Sequence, residues 1–293
     1  CKILDITPTL TNSDNTSYQW TVDDPVANRT DSVLSTTKDV KFIALYPGHY
    51  ELTLTILNGS KKETKKTSVI VEKEVQEYSS YITTVYDFLP AVGQFTNTLP
   101  EYESGDTKES MRVKAENSLK GNKGSGVSLG GYGGYVVFGF DHTIVNIPGK
   151  RDFRVRGNAF WAAANPNPSA PGRGGSCEPG IIMVAYDRNG NGVPDDDEWY
   201  EIAGSEYNKP ETIKDYEITY YKPLNGNEAT QFKWSDNNGV DEAYKVKNGY
   251  HPQNYFPEWI TEDKIVFKGT LLKNNAVNEA EEGSEYDYWV LNS

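Results

Sequence analysis

Gly180–Tyr207 reads GIIMVAYDRNGNGVPDDDEWYEIAGSEY, and the fold turns on how this stretch is understood. At its centre Asp187, Asn189, Asn191, Gly192 and Glu198 stand at the spacing of a calcium-binding loop: alternate oxygen-bearing side chains, a glycine, then a glutamate six positions on. The chemistry accounts for the spacing. Calcium takes six to eight hard oxygen ligands at about 2.3–2.6 Å, and a tight loop can aim alternate side chains at one point. Asp187, Asn189 and Asn191 would supply side-chain oxygens and Val193 its carbonyl. Asp195 would ligate directly or through water, and Glu198 would close the shell with two oxygens. The alternative is an Asn-Gly hairpin turn without an ion. The flanks do not suit a helix–loop–helix hand. Ile181–Ala185 is a short apolar, β-prone run, and Trp199–Ile202 alternates on its way to Gly204. The expectation is a loop between two strands, with calcium as a structural cofactor.

The same two-residue period recurs outward from this stretch. Tyr18–Asp23, Lys41–Leu45, His49–Leu57 and Lys65–Val71 read as strands, with Asn58-Gly59 as a hairpin turn. Further on, Tyr135–Phe140, Asp152–Trp161, Tyr216–Tyr221, Thr230–Trp234, Lys264–Lys268 and Tyr286–Leu291 read likewise. No sustained helical period is apparent, and residues 91–108 read as a polar loop. The fold expected is all-β: a small β-sandwich over residues 1–73, then a larger jelly-roll-like β-sandwich over 74–293. The glycines of Leu129–Gly134 invite a phosphate-cradle reading, but no helix start or Gly-Lys-Ser/Thr follows them. They read instead as a turn feeding a strand.

The 293 residues carry a net charge of −13. Residues 1–73 hold nine basic and nine acidic side chains, so the whole excess lies in the second region. An acidic surface repels phosphate backbones, which argues against nucleic acid as a partner. No apolar run is long enough to span a bilayer. The two cysteines are Cys1 and Cys177. Cys1, followed by a polar stretch, reads as the lipidated residue of a processed lipoprotein, leaving the body in water and touching membrane only through acyl chains. A boundary of the sequence that happens to fall at Cys1, or a Cys1–Cys177 disulfide, is the alternative. His49, His142 and His251 show no zinc spacing, and no nucleophile elbow occurs. Enzyme activity is therefore not expected. What remains is binding: Trp161 at the head of the long loop 162–178 and Arg173 within it, and Tyr250, Asn254, Tyr255 and Trp259 on a later aromatic and amide-rich loop, are the candidate ligand contacts.

Two resemblances sharpen these expectations. Trp20, Val22, Asp23, Tyr46, Pro47, Gly48, Tyr50, Leu52, Leu54, Ile56, Asn58 and Gly59 resemble the PKD-type immunoglobulin-like module, without its usual Phe-Gly-Asp-Gly segment. Val85–Phe95, Ser128–Asn146, Asp152–Phe160 and Glu178–Tyr207 resemble the second domain of Bacteroidota-type cell-surface lipoproteins associated with cobalamin (vitamin B12) uptake loci. That resemblance implies a lipid-anchored outer-membrane protein at the cell surface. It would bind cobalamin, or another small nutrient, beside a TonB-dependent transporter and companion lipoproteins. A carbohydrate-binding module of a glycan-uptake system, or a scaffold or adhesion subunit without a small ligand, remains open.

Overall fold

The computed structural model describes residues 3–10, 16–24, 28–122, 125–147, 149–157, 160–161, 175–176, 180–273, 276–278 and 289–291. The fold is mostly β, in antiparallel sheets, with one α-helix among the described residues. The chain divides into two compact units, Cys1–Ser79 with Phe140–Arg154, and Ser80–Gly139 with Val155–Ser293.

In the first unit β1 (Leu4–Ile6) pairs with β4 (Val40–Phe42). Strands β2 (Thr16–Asp24), β3 (Arg29–Ser35), β5 (Gly48–Asn58) and β6 (Lys61–Val71) form a sheet in the order β3-β2-β5-β6. Alternation does the sorting. Tyr50, Leu52 and Leu54 of β5 point inward and meet Trp20 and Val22 of β2, with Val40 and Phe42 from the smaller sheet closing over them. Burying side chains of this size stabilises by roughly 1.5–3 kcal/mol each. The polar tips are satisfied too. Trp20 Nε1 donates to the Lys38 carbonyl at 2.9 Å, and Tyr50 Oη donates to the Tyr46 carbonyl at 2.7 Å. The second bond ties the strand start to its own preceding turn, as the tyrosine corner of immunoglobulin-like sandwiches does. β6 sits at the sheet edge and carries Lys61, Lys62, Lys65 and Lys66, charges that discourage edge-to-edge pairing.

The second unit holds β7 (Thr84–Leu89), α1 (Lys108–Leu119), β8 (Tyr135–Gly139), β9 (Phe160–Trp161), β10 (Gly175–Ser176), β11 (Met183–Ala185) and β12 (Trp199–Glu201). It continues with β13 (Ile213–Tyr221), β14 (Gln231–Asp236), β15 (Ala243–Val246), β16 (Lys264–Leu271), β17 (Ala276–Asn278) and β18 (Trp289–Leu291). The order β15-β14-β13-β16 makes a four-stranded sheet, while β7-β8, β9-β10, β11-β12 and β17-β18 are two-stranded. Tyr216, Ile218 and Tyr220 alternate inward from β13 and pack with Phe232, Ile265, Phe267, Val85 and Phe88. The glycine-rich stretch does feed a strand, β8. A Cβ on Gly134 would lie 1.8 Å from the Leu129 carbonyl oxygen, so this turn needs glycine for close packing rather than for a phosphate.

Two expectations are corrected. Residues 151–157 form no strand, and among the described residues the pairing expected of Asp152–Trp161 is found at Phe160–Trp161. The expected polar loop ends in helix α1, started by a capping box in which Thr107 Oγ1 accepts from Ser110 N and Ser110 Oγ accepts from Thr107 N. Its fully buried stripe is only Met111 and Ala115, too narrow to register as a helical period. The helix is placed by polar contacts to a bulged strand instead. Arg112 Nη1 donates to the Val85 carbonyl at 2.5 Å and Glu116 Oε2 accepts from Val85 N at 3.0 Å, where the pairing of β7 with β8 shifts register.

Candidate functional site

Strands β11 and β12 pair as Met183↔Glu201, Val184↔Tyr200 and Ala185↔Trp199, and Tyr186 N donates to the Glu198 carbonyl at 3.0 Å. The acidic loop is thus a strand-to-strand connection closed at its neck. Inside it, Asp187 acts as the hub. Its Oδ1 accepts from the Gly190 and Asn191 amides at 2.7 and 3.1 Å, and its Oδ2 accepts from Gly192 N at 2.9 Å. Asn189 Oδ1 accepts from Asn191 N at 2.9 Å, and Asn191 Oδ1 accepts from Val193 N at 2.8 Å. Both Asn side-chain amides donate to Asp195 Oδ2, at 2.7 and 2.9 Å. Gly192 has φ +78°, a conformation that side-chain-bearing residues rarely adopt.

Glu198 ends a short 3-10 turn, Asp196–Glu198, and is only 2% exposed. Its Oε1 accepts from Arg188 N at 2.7 Å and its Oε2 from Asp195 N at 3.2 Å. Both partners are peptide groups. The nearby Arg188 guanidinium turns outward to Asp197, at 2.6 Å. A buried carboxylate costs several kcal/mol unless something balances its charge. Asp187, Asn189, Asn191, Asp195 and Glu198 are the residues here that could hold a hard cation, with Val193 contributing its carbonyl. No three His, Cys, Asp or Glu side chains gather into a metal-holding group among the described residues. A calcium loop is less dependent on such a group, because amide and carbonyl oxygens supply part of its shell. The donor set therefore fits calcium and does not suit a soft-ligand metal.

The hairpin is moored to the rest of its unit. Tyr86 Oη, from β7, donates to the Gly192 carbonyl at 3.1 Å. Glu201 of β12 accepts from Thr270 Oγ1 at 2.6 Å and pairs with Lys214 at 3.1 Å, which joins it to β16 and β13. Tyr135, hydrogen-bonded to Asp87 at 2.7 Å, has its phenol pushed well above the ordinary range. Burial is the main cause, then the Asp87 bond and charge, with a smaller push from Asp196.

The expected lipidation site and ligand contacts divide. Cys1 and Arg173 lie outside the described residues; Trp161 sits in β9, paired with Gly175, and its side chain lies outside them as well. Tyr250 is open to solvent at 85% exposure. Asn254, Tyr255 and Trp259 are corrected to core positions. Tyr255 stacks on Phe232 with ring centroids 5.4 Å apart, and Trp259 stacks against both Phe88 and Tyr102. Asn254 Oδ1 accepts from Phe256 N at 3.0 Å within the same core. The cause is Asn97, itself buried. Its Nδ2 donates to the Asn254 and Phe256 carbonyls at 2.8 and 2.9 Å, and its Oδ1 accepts from Glu258 N at 2.9 Å. That clamp turns the aromatics inward.

Phe95 is held at φ +61°, an outlier for a bulky residue, and its ring remains 37% exposed. Thr96 beside it is fully buried and donates to the Ala91 and Gly93 carbonyls. The Phe95 ring meets His251 edge-on, with centroids 4.6 Å apart, next to Tyr250 in the chain. Sequence reading did not place Phe95 or His251 among the ligand contacts, because nothing local announces a phenylalanine in the left-handed region or its meeting with a histidine so distant in the chain. Strain of this kind costs roughly 1–3 kcal/mol and persists only where surrounding structure imposes it.

No family model matches this chain, and no curated protein matches it.

Proposed function

We propose that the protein is a calcium-stabilised binding protein, not an enzyme, that captures a small nutrient at the cell surface for TonB-dependent uptake. Its units are read as a PKD-type module and a jelly-roll-like ligand-binding domain. The single observation behind the calcium is Glu198: an almost fully buried carboxylate, bonded to two peptide N–H groups, facing a loop of further oxygen donors. Calcium bound there would balance Asp187, Asp195 and Glu198 and stiffen a loop that Tyr86 and Glu201 already tie to the body of its unit. Cobalamin is the first ligand to test, on the strength of the sequence resemblance.

A neutral sugar is the second reading, favoured by the exposed rings of Phe95 and Tyr250 and the half-buried imidazole of His251, which suit the apolar face and hydroxyls of a pyranose. The test is isothermal titration of the calcium-loaded protein with cyanocobalamin and, separately, with neutral oligosaccharides. Saturable heat with cyanocobalamin supports the first reading, and saturable heat with a sugar the second. Absence of heat with both overturns the capture function.

A further inference from the structure

Six Asn-Gly pairs occur in the chain, at Asn58, Asn189, Asn191, Asn225, Asn238 and Asn248. Such pairs are the natural sites of spontaneous deamidation, because glycine leaves its own amide nitrogen unshielded. The nitrogen attacks Cγ of the preceding asparagine and passes its proton to solvent. The new C–N bond closes a five-membered succinimide as the Cγ–Nδ2 bond breaks and ammonia departs. Water then opens the ring at either carbonyl, leaving aspartate or isoaspartate. Attack therefore requires a glycine N–H free to lose its proton and an Asn side chain free to swing towards it.

The six pairs meet these requirements unequally. In the acidic loop both nucleophiles are taken: Gly190 N donates to Asp187 Oδ1 at 2.7 Å and Gly192 N to Asp187 Oδ2 at 2.9 Å. A carboxylate acceptor makes these N–H groups harder to deprotonate, and charge-assisted bonds are the stronger kind. Both electrophiles are also pinned. Each side-chain carbonyl accepts a backbone N–H and each side-chain amide donates to Asp195. At Asn225 and Asn248 only the side-chain oxygen is engaged, by Asn227 N and Tyr250 N. At Asn58 and Asn238 the asparagine side chain and the glycine N–H make no hydrogen bond with another described residue, and the space around Gly59 and Gly239 is open.

We infer that Asn58-Gly59 and Asn238-Gly239 are the chain's deamidation sites, and that the Asp187 carboxylate protects the two Asn-Gly pairs of the acidic loop. Damage at Asn238 would matter to the fold. Asp236 holds that turn by accepting from Asn238 N and Val240 N, and with its other oxygen accepts from Tyr216 Oη. A new carboxylate or an extra backbone methylene there disturbs the junction of β14 with β15. The protection does not depend on bound calcium, since the bonds run from peptide nitrogen to Asp187 itself.

The experiment ages the folded chain in mildly alkaline buffer, once with calcium and once with a calcium chelator, and follows ammonia loss at each of the six sites by peptide mass mapping. A parallel sample is aged unfolded in urea. Deamidation at Asn58 and Asn238 about tenfold or more faster than at Asn189 and Asn191 is expected in the folded chain, with the spread collapsing in urea. The Asp187→Ala variant brings the loop pairs up to the rate of Asn238. Equal folded rates at all six sites, or protection that vanishes on chelation alone, would overturn the inference. Neither outcome bears on nutrient binding.

Discussion

Exchanging Glu198 for Gln separates the ionic role of this side chain from its packing role. The amide keeps the volume of a group that is 2% exposed, and its oxygen can still accept one of the two peptide N–H groups, from Arg188 or Asp195. The bond lost is worth about 1–3 kcal/mol, but neutralising a buried carboxylate removes a penalty of the same order. In chelator the variant should therefore lie within about 1 kcal/mol of the unsubstituted chain. Calcium changes the comparison. A ligand bound only by the folded state, at a free concentration about a hundredfold above its Kd, stabilises by about 2.7 kcal/mol. For a unit the size of Ser80–Gly139 with Val155–Ser293, each kcal/mol moves Tm by about 2–4 °C, so saturating calcium should raise it by about 5–11 °C. Glu198→Gln should lose most of that rise. Scanning calorimetry of both chains, in calcium and in chelator, reads all four values. A Tm for the unsubstituted chain that ignores calcium, with no calcium by elemental analysis, would refute the site, and an undiminished rise in the variant would refute the role of Glu198.

Three further expectations follow from the same geometry. Asn97→Ala strands two carbonyls and one N–H in a buried environment, and should cost about 3–5 kcal/mol in urea unfolding; a loss under about 1 kcal/mol would show that the clamp is not needed. Phe95→Gly relieves the φ +61° conformation and should leave stability unchanged or raised by about 1 kcal/mol while weakening whichever ligand titrates; intact binding would remove Phe95 from the site. Asp106 is held at about 2, chiefly by the hydrogen bond from Lys114 and then by Glu103 N and Ser110 Oγ. A carboxyl depressed in the folded state contributes stability that is complete above its unfolded value of about 3.9 and disappears as pH falls towards about 2. Asp106→Asn should therefore flatten the acid limb of stability against pH, measured as the urea midpoint, and an unaltered limb would contradict the assignment.

The sequence by itself determined what depends on neighbours a few positions away. Alternation of apolar residues placed β2, β5, β13 and β16, because successive side chains of a strand must point to opposite faces. The Asp-Asn-Asn-Gly spacing made a turn between β11 and β12 legible, because each short polar side chain bonds the backbone two to five residues on. Tertiary structure alone decided the rest. Tyr255 and Trp259 read as a binding face because an aromatic loop looks alike in sequence whether its rings face water or core, and Asn97, far earlier in the chain, turns them inward. Helix α1 escaped notice for the same reason: its two buried side chains form too thin a stripe, and its place is set by Val85, a strand residue more than twenty positions before it. Local periodicity reports which way a side chain points, whereas burial depends on what the fold brings against it.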